Sequence, residues 1–277
     1  MSFTKSDLIG FAVEFTETSP FNCVSAELAI STSLVGLRLF DAPILGFTQA
    51  EDSLFQDFQR PHIVGEHFLP PRSWLPGAKS VLSFFLPFSD SVKTANLADP
   101  IWPAPEWLHG RMEGQVMVRG LSLFLKDTLE QAGYPTVIPS LDARFWSKEA
   151  ACFTSNWSER HVAYACGLGT FGLSAGLITP KGMAGRFGSI VTSLPLPPDP
   201  RPYQSYHEYC IACGACVRKC PVHAISLQTG KNHALCSSFL EKTKVKFAPR
   251  YGCGKCQVAV PCESCIPRWK NRGKSSL

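Results

Sequence analysis

The sequence Cys210-Ile-Ala-Cys213-Gly-Ala-Cys216-Val-Arg-Lys-Cys220-Pro221 decides how the C-terminal part of this chain folds. Its spacing, C-x2-C-x2-C-x3-C-P, is that of a bacterial 4Fe–4S site. Three cysteines at two-residue gaps converge on one cluster, and the fourth, next to the proline, ligates a different cluster. The motif therefore predicts a second set of thiols elsewhere in the chain.

Cysteines further along the chain supply that second set. A repeat of the first motif would place a cysteine at position 260, where Val260 stands instead. We therefore expect a crossed assignment in which Cys262 completes the first cluster, with Cys265 as the alternative. The expected ligands of cluster one are Cys210, Cys213, Cys216 and Cys262. Those of cluster two are Cys220, Cys236, Cys253 and Cys256.

Other uses of clustered cysteines fit this pattern less well. No apolar leader opens the chain, which favours a cytoplasmic, reducing setting in which disulfides are rare. Zinc suits paired C-x2-C motifs but does not explain three cysteines at two-residue gaps followed by Cys-Pro. Haem attachment would need a histidine directly after Cys216, where a valine stands. The remaining thiols, expected to be buried and structural, are Cys23, Cys152 and Cys166.

Charge is divided unevenly along the chain. Positions 201–277 hold 13 lysines and arginines against 3 acidic residues, whereas positions 1–200 hold 14 against 19. Two oxidised clusters with their thiolates, at about −2 each, offset only part of the positive excess. Three uses of the remainder stay open: compensation of the clusters, docking of an acidic electron donor such as ferredoxin or flavodoxin, and contact with nucleic acid.

A proline-rich connector at 194–202 predicts two domains, 1–200 and 201–277. Alternating helix and strand patterns in the first predict a mixed α/β (α+β) layer structure. Helices are expected at 21–39, 111–131 and 158–167, and strands at 79–88, 136–138, 176–179 and 186–193. The cysteine-rich domain is expected to be mostly loops and short turns stapled by metal. No apolar stretch is long enough to cross a membrane.

Segment 155–173 joins a charged helix start to a glycine-rich end. Its glycines, Gly167, Gly169 and Gly172, follow a predicted helix instead of joining a strand to a helix, so they make a poor nicotinamide dinucleotide fingerprint. Glycines at this spacing either let the backbone approach a flat ligand or form a helix cap and a tight turn.

With Glu159-Arg160 ahead of those glycines, the segment resembles the E-R…A-G-L-G-x-x-G signature of epoxyqueuosine reductases and reductive dehalogenases. Residues 74–81 and the cysteine spacing resemble the same superfamily. The resemblance implies a nitroreductase-like N-terminal α/β domain followed by a bacterial-type double 4Fe–4S ferredoxin module. It also implies a base-off corrinoid (cobalamin) beside cluster one, with Gly167, Gly169 and Gly172 as its binding residues. The corrinoid would supply the chemistry while the protein positions it and feeds it electrons.

The chain departs from that superfamily at the expected proton donor. Epoxyqueuosine reductases carry an acidic residue shortly before Glu-Arg, and residues 152–156 contain none. Their C-terminal helical-repeat domain, which helps to hold tRNA, and the twin-arginine leader of dehalogenases are also expected to be absent. The small-molecule substrate of neither group can therefore be carried over. Candidate acid–base residues are His161, Glu159 and Tyr164, with Lys148, His109 and Arg111 as weaker ones.

Three functional hypotheses remain open from the sequence. The first is a cytoplasmic oxidoreductase whose two clusters serve a corrinoid, and it predicts a cavity beside cluster one. The second is an electron-transfer protein without corrinoid that reduces a partner protein, and it predicts that side chains fill this space. The third is a tRNA-modifying reductase, which predicts salt-sensitive tRNA binding.

Overall fold

The computed structural model describes residues 3–148 and 153–268. Its strands are β1 (Ile44–Gln49), β2 (Ser80–Pro87), β3 (Thr136–Val137), β4 (Ser147–Lys148), β5 (Thr154–Ser155), β6 (Thr170–Phe171), β7 (Leu177–Ile178), β8 (Gly185–Thr192), β9 (Ile225–Ser226) and β10 (Gly230–Lys231). Four of them form an antiparallel sheet in the order β1–β2–β8–β3. The others form the two-stranded pairs β4–β5, β6–β7 and β9–β10. The mixed α/β prediction is confirmed.

Strand β2 lies at the centre of the sheet and confirms the strand predicted at 79–88. All eight of its residues are buried, because helices cover the sheet on both faces. Side chains alternate along a strand, so Leu82, Phe84 and Leu86 enter one core while Val81 enters the other. This double burial explains why the sequence here is almost continuously apolar.

Helices cover both faces of this sheet. The helices of the described part of the chain are α1 (Lys5–Thr18), α2 (Leu54–Asp57), α3 (Pro71–Trp74), α4 (Asp90–Ala95), α5 (Pro105–Gln131), α6 (Glu159–Ala165), α7 (Ala215–Lys219) and α8 (His233–Phe247), of which α5 and α6 contact the sheet most. The first core lies under α1 and α5, and α5 buries Met117, Leu121, Leu125 and Leu129 along one stripe. The second core lies under α6 around the buried Trp157. None of the helices in the described part of the chain combines the length and hydropathy of a membrane span.

The helix predicted at 21–39 is wrong. This segment forms two short 3-10 turns, Pro20–Asn22 and Thr32–Leu34, joined by irregular chain. The buried side chain of Asn22 donates to the carbonyl oxygens of Thr16 and Phe40 and accepts from the Phe40 N–H. Those bonds fix an open loop, and serine and threonine side chains compete further with helical backbone bonds.

The cysteine-rich part packs directly on the sheet domain. It contains the 15-residue helix α8, which the expectation of loops and short turns missed. Its own core is small, since only Cys220, Ala224 and Ile225 form its buried cluster. Several polar bonds tie it to the N-terminal part instead: Arg250 pairs with Glu113 and Lys255 with Asn96. The domain boundary near residue 200 stays a prediction.

Candidate metal centres

Four thiols, here called set one, come together as the crossed assignment predicts. Cys210 and Cys213 lie in a loop, Cys216 lies on α7, and Cys262 approaches from the C-terminal turn. All four line one cavity of about 20 Å³. Burial, together with the neighbouring thiols of Cys216, Cys210 and Cys213, raises the pKa of Cys262 to about 12.

A second group, set two, comprises Cys220, Cys236, Cys253 and Cys256. They line a larger cavity of about 140 Å³ between α8 and the sheet domain. Burial raises the pKa of Cys253 to about 11 and that of Cys256 to about 12. The other thiols of the set add to both shifts. The thiol of Cys220 also accepts a hydrogen bond from the Ala224 N–H at 3.2 Å.

Both sets fit iron–sulfur clusters by the chemistry of their donors. Among the described residues, no three Cys, His, Asp or Glu side chains converge in the way that one metal ion requires. Each set instead surrounds open space with four sulfur atoms. Buried thiols at such high pKa values stay protonated at neutral pH unless a cation compensates the thiolates. Cluster iron supplies that compensation, and cysteine thiolates are its usual ligands.

The remaining cysteines do not join either set. Cys265 is exposed, and its thiol donates to the Pro261 carbonyl at 3.6 Å. Cys166 is buried against β2, as predicted, and burial raises its pKa well above the ordinary value. Cys23 is exposed, which contradicts the expectation of burial. Cys152 lies outside the described residues.

The glycine segment packs against the protein's own chain. A Cβ on Gly169 would lie 2.0 Å from the Ile178 carbonyl oxygen, and one on Gly167 would lie 3.0 Å from the Pro200 carbonyl oxygen. A Cβ on Gly172 would meet the Ile178 side chain at 3.3 Å. These glycines are therefore required for close packing of the β6–β7 hairpin and the connector.

The corrinoid that the resemblance implies beside cluster one stays a prediction. The cavity of about 20 Å³ at set one is the space that the four thiols and their apolar neighbours line themselves. Typical small-molecule sites have about 300–1,000 Å³, and a corrinoid is a large macrocycle. Assignment of Gly167, Gly169 and Gly172 to a corrinoid stays a prediction, and we derive no step from it.

Among the acid–base candidates, Glu159 has the environment of a proton donor. Its Oε2 accepts from the Ser189 hydroxyl at 2.6 Å, and that hydroxyl accepts from the Trp157 indole N–H at 2.9 Å. Its Oε1 is buried without a hydrogen-bond partner in the part of the chain that the structure describes. Burial raises the pKa of Glu159 to about 7, although the hydroxyls of Ser189 and Ser140 act in the opposite direction.

His161 and Tyr164, on the same helix, have structural environments. The His161 ring lies between Phe58 and Phe171, with centroid distances of 5.3 and 4.8 Å, and its Nδ1 lies 2.7 Å from the Ser158 hydroxyl. Burial, with Arg160 nearby, lowers the pKa of His161 to about 3. A ring that stays neutral at pH 7 is a poor general acid. Tyr164 stacks on Tyr206 at 4.5 Å, and burial raises its pKa.

The weaker candidates also divide into a residue that supports the fold and a residue that lies near a cysteine set. His109 is fully buried, accepts from the Ile30 N–H at 3.1 Å and lies 3.0 Å from Glu113, so it supports the fold. Nothing is described of the Lys148 side chain. Arg111 instead faces set two, together with Arg186, which the sequence reading did not single out. Arg160 is exposed, donates to the Ala175 carbonyl oxygen and interacts electrostatically with the Cys256 thiol, although desolvation by its surroundings lowers its pKa.

Comparisons with known proteins agree with these observations. A 4Fe-4S binding domain family matches residues 204–226. An epoxyqueuosine reductase of Bacillus cereus is 29% identical over 223 residues, which are 74% of this chain and 53% of that protein. One from Staphylococcus aureus is 35% identical over 126 residues, 42% of this chain and 30% of that protein. The chain thus spans about half the length of the first relative.

Solved structures support the fold. An epoxyqueuosine reductase crystallised with a tRNA-Tyr stem loop superposes with a TM-score of 0.51 at 24% identity, over 79% of this chain and 61% of that one. A catabolic reductive dehalogenase superposes with a TM-score of 0.54 at 16% identity, over 81% and 30%. Both share the α/β arrangement described above.

Proposed function

We propose that this chain, which is similar to epoxyqueuosine reductases and shares the fold of a reductive dehalogenase, passes electrons through two 4Fe–4S clusters to an acceptor beside α6. One observation carries this proposal: eight cysteines form two separate groups of four, each around its own cavity. Cluster one is held by Cys210, Cys213, Cys216 and Cys262. Cluster two is held by Cys220, Cys236, Cys253 and Cys256. Iron and sulfide supply the electron carriers.

Cluster two is the cluster next to the acceptor site in this proposal. The Arg160 guanidinium interacts electrostatically with the Cys256 thiol, and Glu159 precedes it on α6. This reverses the expectation from sequence, which placed the reacting site beside cluster one. The arginine can contact an anionic group of the acceptor. The buried carboxyl next to it in sequence can supply a proton.

Glu159 is the proton donor in this proposal. The chain has no acidic residue at 152–156, where the resemblance leads one to expect the proton donor, and Glu159 takes that role in the proposal. A carboxyl with a pKa of about 7 is close to half protonated at neutral pH, so it can both give and regain a proton. Electrons arriving one at a time from cluster two would then be matched by protons from Glu159.

Replacing Glu159 with glutamine should abolish the proton-coupled step but leave both clusters in place. In the unmodified chain, the rate of that step should fall as the pH rises through about 7, because the carboxyl loses its proton there. Steady-state reduction of the acceptor from pH 5.5 to 8.5 measures this. Glu17→Gln, on the exposed face of α1, is the matched control. An unchanged pH profile in Glu159→Gln contradicts the assignment.

The same substitution should change how stability depends on pH. The pKa of Glu159 is raised in the folded chain, from 4.5 to about 7, so the folded state loses stability as the pH rises between these values. Glu159→Gln removes this loss and should stabilise the protein by about 1–3 kcal/mol at pH 8 but not at pH 4. Anaerobic chemical unfolding at both pH values tests the sign.

Metal analysis of the anaerobically purified chain tests the cluster assignment. We expect about eight irons and eight sulfides per chain. Cobalt analysis and titration with cobalamin separate the two reductase hypotheses. If cobalamin changes the electronic spectrum and cobalt copurifies, the corrinoid hypothesis holds. If neither occurs, the acceptor is reached directly from cluster two. Fewer than about four irons per chain would contradict the proposal.

A tRNA partner is the second candidate, favoured by one observation. Helix α8 carries Lys242, Lys244 and Lys246, and the C-terminal part of the chain is strongly basic. Relatives of this chain are named epoxyqueuosine reductases, and one was crystallised with a modified tRNA stem loop. If tRNA is the substrate, binding should weaken steeply between 50 and 200 mM salt, as is typical of phosphate contacts. Filter binding with unmodified and epoxyqueuosine-containing stem loops measures it.

A further inference from the structure

Two arginines of the sheet domain face the thiols of set two across one cavity. Arg111 stacks on Tyr251, with its guanidinium 4.2 Å from the ring centroid, and its Nε is buried without a hydrogen-bond partner among the described residues. Arg186 donates to the side-chain oxygen of Gln115. In the described part of the chain, neither arginine pairs with a carboxylate, so their charge is left for whatever occupies the cavity.

Two lysines add to this positive surround. Lys231 lines the same cavity. Lys255 lies between Cys253 and Cys256 and is only 3% exposed. Its ammonium group donates to two oxygens of Asn96, at 2.6 and 3.2 Å, and both are neutral. Together with Arg160, which interacts with the Cys256 thiol, these cations surround set two.

Set one has a different environment. Its cavity is lined mainly by apolar side chains, among them Leu173, Ile178, Met183 and Val260. Arg218 near this set is exposed and donates to the Cys213 carbonyl at 3.4 Å, and Lys93, which bonds to Ser264, is paired with Asp90. Solvent and salt screen an exposed charge of this kind. The two sets thus differ sharply in the charge that surrounds them.

We propose that Arg111 and Arg186 make cluster two the cluster of higher reduction potential. Reduction adds one electron and no proton, changing a cluster with its four thiolates from about −2 to about −3. Nearby cations favour the more negative state, and an apolar surround disfavours it. An electron from a low-potential one-electron donor therefore enters at cluster one and comes to rest on cluster two, whose Cys256 interacts with Arg160.

The state of Arg186 supports this reasoning. Burial and the charge of Arg111 lower the pKa of Arg186 to about 10. Two like charges held in one partly buried cavity repel each other, and an anion between them relieves the repulsion. A cluster that becomes more negative on reduction relieves more of it. This inference rests on the proposed function, because both clusters must form.

Redox titration followed by electron paramagnetic resonance tests the proposal on the full, reconstituted chain. In Arg111→Gln and Arg186→Gln we expect the midpoint potential of cluster two to fall and that of cluster one to stay unchanged. The signals are assigned with Cys216→Ser and Cys236→Ser, which remove a ligand from cluster one and cluster two respectively. Arg119→Gln, on the exposed face of α5, is the matched control and should change neither potential.

A charge-retaining substitution keeps the test decisive if a glutamine variant fails to fold. Arg186→Lys should keep the potential of cluster two close to that of the unmodified chain, and Lys231→Gln should lower it. The proposal is overturned if fully loaded glutamine variants keep the original potentials, or if cluster one has the higher potential in the unmodified chain. Failure of the proposed function looks different, since the unmodified chain would then contain too little iron for two clusters.

Discussion

Replacing Cys262 with serine is expected to halve the iron content, from about eight to about four per chain, whereas Cys265→Ser should retain all of it. The structure supplies the reason. Cys262 lies beside the three thiols of the first motif, and they act on its pKa. Cys265, three residues later, is exposed and bonded to a backbone carbonyl. Iron and sulfide analysis with electron paramagnetic resonance measures the loss.

The double variant Cys262→Ser/Cys265→Ser controls for replacement of one thiol by the other. If Cys262→Ser alone keeps about eight irons and the double variant holds about four, Cys265 takes over as ligand. If Cys265→Ser alone loses a cluster, the assignment to Cys262 is wrong. Cys23→Ser, at an exposed position in the N-terminal part, should leave the iron content unchanged.

Replacing Gly169 with alanine should destabilise the fold by about 3 kcal/mol or more, with no cofactor added. The new methyl group would lie 2.0 Å from the Ile178 carbonyl oxygen and 2.8 Å from its carbon. Both are backbone atoms of β7, so the hairpin itself must shift to relieve the overlap. Gly77→Ala is the matched control, because its Cβ would meet nothing within 4 Å.

Anaerobic urea unfolding of both variants, with and without cobalamin, measures the effect. A loss of stability that is independent of cobalamin means that Gly169 serves packing. If Gly169→Ala is as stable as Gly77→Ala and only weakens cobalamin binding, the glycine borders a ligand and the corrinoid prediction regains its basis.

The elements predicted well from sequence are those in which local and long-range signals agree. Strand β2 is continuously apolar because it is buried on both faces, and α5 carries a clear stripe of apolar residues. The helix prediction at 21–39 was wrong because the buried side chain of Asn22 fixes the loop by hydrogen bonds to the backbone of Phe40. Periodicity cannot report such contacts.

For the two cysteine sets, too, some features follow from local sequence and others depend on distant parts of the chain. Spacing along the chain indicated the first motif, since cluster geometry constrains its gaps, but it would place a cysteine at position 260 and left Cys262 and Cys265 as alternatives. The arginines around set two could not be predicted, because Arg111 and Arg186 are 75 positions apart and meet only after α5 packs on β8. The raised pKa of Glu159 likewise arises from burial, against the opposing effect of its Ser189 hydrogen bond, and no local motif encodes that burial.

The order of the cysteines along the chain has a consequence for maturation of the protein. Every member of set two lies between Cys216 and Cys262, so one cluster site is nested inside the loop that the other closes. Closing a long flexible loop costs more entropy than closing a short one. Filling the inner site first shortens the free loop and makes the outer site easier to complete. Insertion of iron should therefore proceed from the inner site outward.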